Sequence, residues 1–474
     1  MYRKANRAQL SLEEFFLPFG GKLSAENRWV KIANLMPWDM VEDLYAESFK
    51  GETEDGRPPI PARIAFGAIY IKEQESITDE RALEYIAENP YMQFFLGLSS
   101  FRQEPLFDES MMVHFRKRFP QEKINQINEE LYRRANPPKP PDGGDNDGTM
   151  ILDATAAPAD IRYPTDLSLL NECRENTEKI IDKLWDETGR SGRRTGYNRK
   201  NARARYLKVA KQRKPRTKQI QRAIREQLFF VQKNLEALDS LPPESLSILK
   251  LKHRKRLETI RKVWEQQAGM AEKKTHTVED RIVSLRQPHV RPIVRGKTRS
   301  PVEFGQKITV SVVKGFTFIE KQSWDNFSEG KTLIESAEKY KARHGVYPVA
   351  ILADKTYRSR DNLNFCKEHG IRLSGPRLGK PKKECQEADR EQAYRDNCER
   401  NMVEGRYGIG KRKFGLDLIM ATLANTAETE AALNILAMNL AHLVRNLLRL
   451  LYGWPSDLLI ARFTTILNWN PVGV

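Results

Sequence analysis

Two short apolar runs, each ended by an aspartate, constrain the fold of this chain more than any other feature. Residues 149–153 read TMILD, and residues 349–354 read VAILAD. A continuous apolar run of this length is typical of a buried strand. Polar side chains at the carboxyl ends of strands form the ligand sites of open α/β sheets. The two runs therefore predict an α/β fold with Asp153 and Asp354 at strand ends.

Further strand and helix signals flank these runs. Alternating apolar residues over 302–313 predict a strand, Gly315 a turn, and residues 316–321 the returning strand of a hairpin. Helical spacing follows over 331–344 and over 360–369, and one more long helix is predicted over about 429–451. Strands and helices in this order predict a mixed sheet with helices on its faces.

The first 135 residues read as mostly helical. Apolar residues recur at helical spacing over 61–73, and Thr78 can cap a second helix that Asn89 and Pro90 end. A third helical segment over 110–119 brings three basic residues together. Short helices of this kind fit a helix-turn-helix DNA reader. They fit a helical bundle used for packing or dimerisation equally well.

The distance between the two aspartates indicates an insertion. Asp153 and Asp354 are 201 residues apart (354 − 153), about twice what a minimal core of a few strands and a helix requires. The excess is long, charged and helical. A break at Pro242 and Pro243 separates a helix that contains Leu228–Leu238 from a second helix over 244–270. Two antiparallel helices joined at this break are the simplest arrangement.

The domain organisation follows from these features. The composition of residues 136–148, NPPKPPDGGDNDG, holds no regular element and marks a boundary. We predict an N-terminal helical DNA-binding or oligomerisation domain (1–135), a linker (136–148), a sheet core in two parts (149–170 and 301–452), a basic helical insertion (171–300) and a C-terminal tail (453–474).

The charge of the chain favours a polyanionic partner. Lys and Arg outnumber Asp and Glu by 80 to 63, a formal charge of +17, and neutralised phosphates release condensed counterions. Residues 190–225 contain fifteen Lys or Arg and no acid. Solvated basic faces normally mix both signs, so phosphate contact is the better interpretation. The candidate DNA-binding residues of this block are Arg193, Arg194, Arg199, Lys200, Arg203, Arg205, Lys208, Lys211, Arg213 and Lys214.

Cysteine usage and hydropathy indicate a cytoplasmic protein. The four cysteines include no pair at two-residue spacing, which argues against a zinc ribbon. The N-terminus has no apolar signal segment, and no run reaches the ~18 apolar residues of a membrane span. His289, between prolines in QPHVRP, fits a structural loop residue better than a metal ligand or a DNA contact. Trp29, Trp38 and Trp324 are expected in the core.

Asp153 and Asp354 have the same local setting, and this repetition points to metal chemistry. Ionised carboxylates are costly to bury unless they are paired or bind a metal. Two such acids brought together repel each other, and a divalent cation relieves that repulsion. A third carboxylate commonly completes a site for two hard cations. For either aspartate alone, a helix cap or turn residue would be the simpler interpretation.

Several longer segments carry a family resemblance. The segments ILDATAAPADIRYPTD, PVEFGQKITVSVV, ILADKTYRSRDN and GKRKFGLDLIMATLA, with PYMQFFLGL and FDESMMVHFRKRF near the N-terminus, resemble bacterial insertion-sequence transposases of the DDE class. The resemblance covers most of residues 25–445. It implies an RNase H-like catalytic core beside the N-terminal helical domain and the helical insertion.

One branch of that family carries the signature Tyr, two residues, Arg, three residues, Glu, six residues, Lys. Arg400, Glu404 and Lys411 have this spacing, and Asn397 stands in the tyrosine position. Glu404 is thereby preferred as the third acid over Glu399 and over four acids within 384–391.

The resemblance implies a role for each matching residue. Asp153, Asp354 and Glu404 would be catalytic and would bind two Mg²⁺ or Mn²⁺ ions, with Asp153 bridging them. Arg400 and Lys411 would hold DNA phosphates, and the weaker candidates for positioning DNA are Lys355 and Asn362.

The implied function is a DNA transposase that cleaves transposon ends and transfers the strands, as a homodimer on terminal inverted repeats and target DNA. A catalytically silent DNA-binding protein of the same fold and a metal-dependent nuclease without strand transfer remain alternatives. A structural or RNA-binding helical protein would leave the two aspartates and the Arg-Glu-Lys spacing unexplained.

Overall fold

The computed structural model describes residues 11–17, 20–49, 58–137, 146–187, 198–294, 302–375 and 386–451, together with Lys4 and Gln9. Arg193, Arg194 and the predicted tail 453–474 lie outside the described residues. The chain divides into two compact units. The first comprises 1–158, 307–323 and 327–474, and the second comprises 159–306 and 324–326.

A mixed β-sheet is the framework of the first unit. The strands of the described chain are β1 (Thr149–Pro158), β2 (Arg291–Val294), β3 (Val302–Val313), β4 (Phe316–Ser323), β5 (Ala350–Leu352) and β6 (Arg372–Leu373). Within the first unit the strand order is β4-β3-β1-β5-β6. The pairs β1–β5 and β5–β6 are parallel, whereas β3–β4 is antiparallel. The predicted mixed sheet is confirmed.

The β3–β4 hairpin shows how local sequence sets the sheet. Lys314 and Gly315 form its two-residue turn with φ of 49° and 82°. Two positive φ values give a turn whose twist matches the flanking strands, and glycine adopts one of them without strain. The turn predicted at Gly315 is confirmed, and β4 extends to Ser323.

The helices of the first unit pack on this sheet and on one another. They are α1 (Arg28–Leu35), α2 (Trp38–Glu47), α3 (Ala62–Glu75), α4 (Asp79–Glu88), α5 (Pro90–Phe95), α6 (Met111–Arg118), α7 (Gln121–Ala135), α13 (Leu333–His344), α14 (Arg360–Glu368), α15 (Gln386–Lys413) and α16 (Ala424–Leu451). Helix α16 packs against α1, α3, α6, α7 and β4. The N-terminal helices thus share one compact unit with the sheet, although the domain boundaries themselves stay a prediction.

The start and packing of the N-terminal helices follow their local chemistry. The Thr78 hydroxyl accepts the N–H of Arg81 at 3.2 Å and caps α4 as predicted. Trp29 and Trp38 are buried, which confirms their predicted place in the core. Two of the three basic residues in α6 make contacts within the protein. Arg116 is buried and forms an ion pair with Asp79. Arg118 lies over the Phe49 ring and donates to a backbone carbonyl. These internal contacts favour the helical-bundle interpretation of this segment over a DNA reader.

The second unit is mostly helical. Its helices are α8 (Asp166–Glu187), α9 (Arg199–Ala210), α10 (Thr217–Asp239), α11 (Pro243–Ser247) and α12 (Leu251–Lys273). Buried aliphatic side chains of α8, α10 and α12 form one apolar cluster. His289 packs edge-on against the partly buried Trp324, with ring centres 4.3 Å apart. Burial and the charge of Arg291 lower the pKa of His289. The packing of its ring on Trp324 favours its interpretation as a structural residue.

Three predicted boundaries are wrong. Strand β1 does not end at Asp153 but continues to Pro158, because the small residues that follow Asp153 stay buried in the sheet. The second long insertion helix begins at Leu251 rather than at residue 244, since the short helix α11 intervenes after the two prolines. Helix α16 begins at Ala424, before the predicted residue 429. None of the described helices is both long and apolar enough to cross a membrane.

A buried charged cluster joins α3 to α16. The Lys72 ammonium lies 2.8 Å from Glu73 and 2.7 Å from Glu430. All three side chains are almost fully buried. Glu430 also accepts the N–H groups of Met420 and Ala421 at 3.1 and 2.8 Å. One lysine therefore faces two carboxylates, and the cluster fastens the segment between α15 and α16.

This cluster makes stability depend on pH. Burial, and then the charge of Glu430, raise the pKa of Glu73 from its ordinary 4.5 to about 8. Between these values the folded state holds a proton that the unfolded state has released, so stability falls as the pH rises from 4.5 to 8. Glu73→Gln removes this dependence. We expect the melting temperature of the variant, relative to wild type, to rise by about 2–4 °C between pH 5.5 and pH 9.

Thermal melts across this pH range measure the effect. Glu84→Gln, on an exposed position of α4, is the control and should follow the wild-type profile. A constant difference between Glu73→Gln and wild type across the range would contradict the assignment.

Candidate active site

The register of the parallel strands brings Asp153 and Asp354 together. In the β1–β5 ladder, residues 149, 150 and 151 face residues 350, 351 and 352. Asp153 and Asp354 each lie two residues beyond the last of these pairs and therefore stand at the same level. Neighbouring strands are about 4.8 Å apart, and alternate residues share a face. Both carboxyl groups therefore reach the same edge of the sheet, just beyond the carboxyl end of β5.

Short-range hydrogen bonds position Asp354. The Ser374 hydroxyl accepts the N–H of Ala353 at 2.9 Å and donates to its carbonyl oxygen at 3.0 Å. The Asp354 carboxylate accepts the N–H of Lys355 at 2.6 Å and caps a 3₁₀ turn over Lys355–Tyr357. Its side chain is about half exposed (54%). Asp354 thus caps the turn and keeps part of its carboxylate open to solvent. Asp153 is less exposed than Asp354.

The pKa of Tyr357 shows which negative charges lie near this edge of the sheet. Its ring is fully buried. Burial raises the pKa of Tyr357, and the charges of Glu329, Asp153 and Asp354 raise it further. Glu329 is therefore an additional acid whose charge acts on the same tyrosine as the two aspartates.

Glu329 was not among the acids predicted from the sequence, although one signal pointed to it. Glu329 lies 2.9 Å from Lys307, a buried lysine in strand β3. A buried lysine requires an acidic partner. Lys307 within the apolar strand 302–313 was thus a sign of an acid nearby.

Helix α15 brings the Arg-Glu-Lys signature beside the aspartates. It packs against β1 and β5, and the Arg400 guanidinium lies 3.4 Å from the Asp354 carboxylate. Arg400, Glu404 and Lys411 fall within about 40° of one another around the helix. They flank the side of α15 that buries Val403. The signature therefore forms one strip along α15 that begins at Arg400, beside Asp354.

Glu404 itself does not form a cluster with the two aspartates. Its side chain is exposed on α15 and has no hydrogen bond or ion pair among the described residues. Within the described ranges, no three His, Cys, Asp or Glu side chains are grouped closely enough to hold a metal ion. The structure therefore assembles two of the three predicted acids, and the role of Glu404 stays a prediction.

The donor set nevertheless fits divalent cations. Two carboxylates at one sheet edge supply the oxygen ligands that Mg²⁺ and Mn²⁺ prefer. Glu404 lies one helical turn beyond the arginine that already touches Asp354.

The other signature candidates differ in accessibility. Lys355 is exposed next to Asp354, and Lys411 is half-buried. Asn362 is buried and donates to two backbone carbonyls, so the expectation that it positions DNA is wrong. Glu399 is exposed on α15.

The basic block lies in the second unit and divides into two groups. The Arg199 guanidinium binds both carboxylate oxygens of Asp182, at 2.8 and 3.0 Å, and joins α9 to α8. Arg205 lies 3.3 Å from Glu226. The remaining predicted residues are exposed and have no acidic partner in the described part of the chain. They are Lys200, Arg203, Lys208, Lys211, Arg213 and Lys214.

Comparison with known proteins finds transposase families in two segments of the chain. Residues 351–441 match the family described as transposase DDE domain, a segment that contains Asp354 and α15. Residues 18–118 match a second family, transposase domain (DUF772). An uncharacterized protein, ORF8 of the nfe locus of Rhizobium meliloti, is 30% identical over 143 residues, which are 30% of this chain and 66% of that relative. No solved structure matches the chain.

Residues 351–441 are thus similar to a transposase DDE domain, and this similarity implies an RNase H-like core for the mixed sheet. The two family matches together support an insertion-sequence DDE transposase and confirm the resemblance drawn from the sequence. Neither match includes Asp153, whose place beside Asp354 rests on the strand register.

Proposed function

We propose that this protein cuts and joins DNA at the ends of an insertion sequence. The observation that supports this most directly is the common register of Asp153 and Asp354 on neighbouring parallel strands, with Arg400 of α15 on the Asp354 carboxylate. The transposase families matched on either side of Asp153 support DNA as the substrate.

Three acids would hold the cations of this reaction. Asp153, Asp354 and Glu404 would hold two Mg²⁺ or Mn²⁺ ions. When bound, the two cations lower the energy of the attacking and leaving oxygens of an in-line phosphodiester displacement. Glu404 would reach the site by a change in the rotamer of its exposed side chain.

Basic side chains would position the DNA around these acids. Arg400 neutralises part of the Asp354 charge at 3.4 Å, and its guanidinium would also bind a DNA phosphate. Lys355 directly follows Asp354, and Lys411 lies two helical turns after Glu404 on α15. The exposed basic residues of α9 would hold transposon-end DNA. A homodimer acting on two ends in the cytoplasm is part of this proposal.

Incubation with DNA and cation tests the function. Purified protein would be mixed with supercoiled plasmid and Mg²⁺ or Mn²⁺, and nicked, linear and end-joined products would be quantified. Joined products that disappear with a chelator support a transposase. Cleavage without joining favours the nuclease alternative. Tight DNA binding without any cleavage favours the catalytically silent alternative.

The basic surface of α9 makes a prediction about DNA affinity. Lys208 of α9 and Lys211, which follows the last residue of the helix, are both exposed. Replacing both with Gln should lower the slope of log affinity against log salt by about 2, because two phosphate contacts are lost. Fluorescence anisotropy with duplex DNA at several salt concentrations measures this slope.

Arg199→Gln is the matched comparison within the same block. Because Arg199 is engaged with Asp182, this change should lower the melting temperature and leave the salt slope unchanged. An unchanged slope in the double lysine variant would place the DNA elsewhere on the protein.

A further inference from the structure

One buried amide connects the two turns beside the candidate active site. The Asn362 side chain of α14 is 3% exposed. Its Nδ2 group donates to the carbonyl oxygens of Gly330 and Tyr357, each at 2.7 Å. These carbonyls belong to separate 3₁₀ turns, Glu329–Thr332 and Lys355–Tyr357. Both hydrogens of one amide are thus used to join two segments that are distant in sequence.

A glycine permits the same two turns to touch. A Cβ atom at Gly330 would stand 2.4 Å from the carbonyl oxygen of Thr356. Real side chains do not approach a backbone oxygen so closely, and backbone atoms cannot move aside without displacing the turn. Gly330 therefore lets the two turns approach each other, and Asn362 holds them together through hydrogen bonds.

Each turn has an acidic residue at its start. The first turn begins with Glu329, which pairs with Lys307 of β3 at 2.9 Å. The second turn begins directly after Asp354, whose carbonyl oxygen accepts the N–H of Tyr357 at 3.0 Å. The connection at Asn362 therefore ties the Asp354 turn to strand β3 through Glu329.

The far end of the second turn is anchored as well. The Arg358 guanidinium donates to the carbonyl oxygens of Leu373 and Ser374 at 3.0 and 2.6 Å. Asn362 holds the middle of this segment, where no other side chain of the described residues bonds to the Tyr357 carbonyl. Loss of its amide leaves these two carbonyls without this donor, which destabilises the contact between the turns.

We propose that Asn362 is a positioning residue that orients the Asp354 carboxylate for cation binding. This inference rests on the proposed function, because it assigns Asp354 to a cation site. Asn362 touches neither substrate nor cation. Without it the turn after Asp354 separates from the Gly330 turn, and the carboxylate samples more orientations.

Two substitutions test the inference by different means. Asn362→Ala removes the donor, and Gly330→Ala forces the turns apart. Asn439→Ala is the matched control in the same unit. Its buried amide also donates twice, to the Thr317 carbonyl and to Asn128, both at 2.8 Å. All three variants should lose similar thermal stability, so effects on the site stand apart from effects on folding.

Two readouts on the full-length protein without DNA separate positioning from general destabilisation. Hydrogen exchange at the Lys355–Tyr357 amides should accelerate in Asn362→Ala and Gly330→Ala and stay unchanged in Asn439→Ala. Mn²⁺ titration followed by electron paramagnetic resonance should show about a tenfold weaker affinity in the first two variants, as for other residues that support a metal ligand. Asn439→Ala should bind Mn²⁺ as the wild type does.

Each contrary outcome has a distinct meaning. Wild-type Mn²⁺ binding together with unchanged affinity or unchanged exchange in Asn362→Ala would overturn this inference and leave the proposed function standing. Equal losses in Asn439→Ala would also overturn it, since the effect would then be global. A wild-type protein that binds no Mn²⁺ would overturn both.

Discussion

Asp354→Asn is expected to reduce metal-dependent DNA cleavage by about a thousandfold or more, in line with the loss of a residue that acts only with its catalytic partners. The amide keeps the shape of the side chain and can still cap the turn at Lys355. It lacks the negative charge that would hold a cation and that now attracts Arg400 at 3.4 Å. Single-turnover nicking of supercoiled plasmid in Mg²⁺ measures the effect.

The same variant gives a second readout that needs no DNA. A ligand that binds only the folded state raises the melting temperature, so Mg²⁺ or Mn²⁺ should stabilise the wild type and not Asp354→Asn. Because Asp354 is half exposed and its ion pair is long, the variant without cation should melt close to wild type.

Asp361→Asn is the matched control for this prediction. Asp361 is an exposed acid in the first turn of α14, and its loss should leave both cleavage and cation stabilisation intact. Cleavage at the wild-type rate in Asp354→Asn would remove this residue from the active site and with it the proposed chemistry.

Glu404→Gln is expected to produce a loss of similar size, again about a thousandfold or more. The reason is the strip on α15 that begins at Arg400 and continues through Glu404, beside the paired aspartates. DNA binding should persist, because the basic surface of α9 is unchanged. The same plasmid assay, with anisotropy as a check on binding, measures both properties.

Glu399→Gln is the informative comparison, since Glu399 is an exposed acid of the same helix. It should cleave like the wild type. If Glu404→Gln cleaves normally, the third acid is another residue, and Glu329 is the first to examine because its charge already acts on Tyr357 together with the two aspartates.

The site illustrates how separate parts of the chain contribute to one edge of a sheet. Asp153 comes from the middle of β1, Asp354 from the end of β5, and Arg400 from α15. Ser374, Arg358 and Asn362 hold the backbone around Asp354 without facing the site. Such supporting residues keep a ligand in place and so influence its affinity.

The amino-acid sequence by itself determined the local features of this protein. Apolar runs predicted the strands that carry Asp153 and Asp354, and Thr78 and Gly315 predicted a helix start and a turn. These features depend on neighbours in sequence, through burial period, capping and backbone conformation. Glu404 became a candidate only through resemblance to a family, because nothing local distinguishes one exposed acid on a helix from another.

Tertiary structure alone decided which distant residues meet. The spacing of 201 residues between the aspartates is also the register offset of β1 and β5, as Thr149 faces Ala350, and hydrogen bonding between the strands sets that offset. The pairing of Glu329 with Lys307 and the link from Asn362 to Gly330 likewise join segments far apart in sequence. Contacts of this kind arise from chain packing, which no local pattern encodes, and they determine where the carboxylates point.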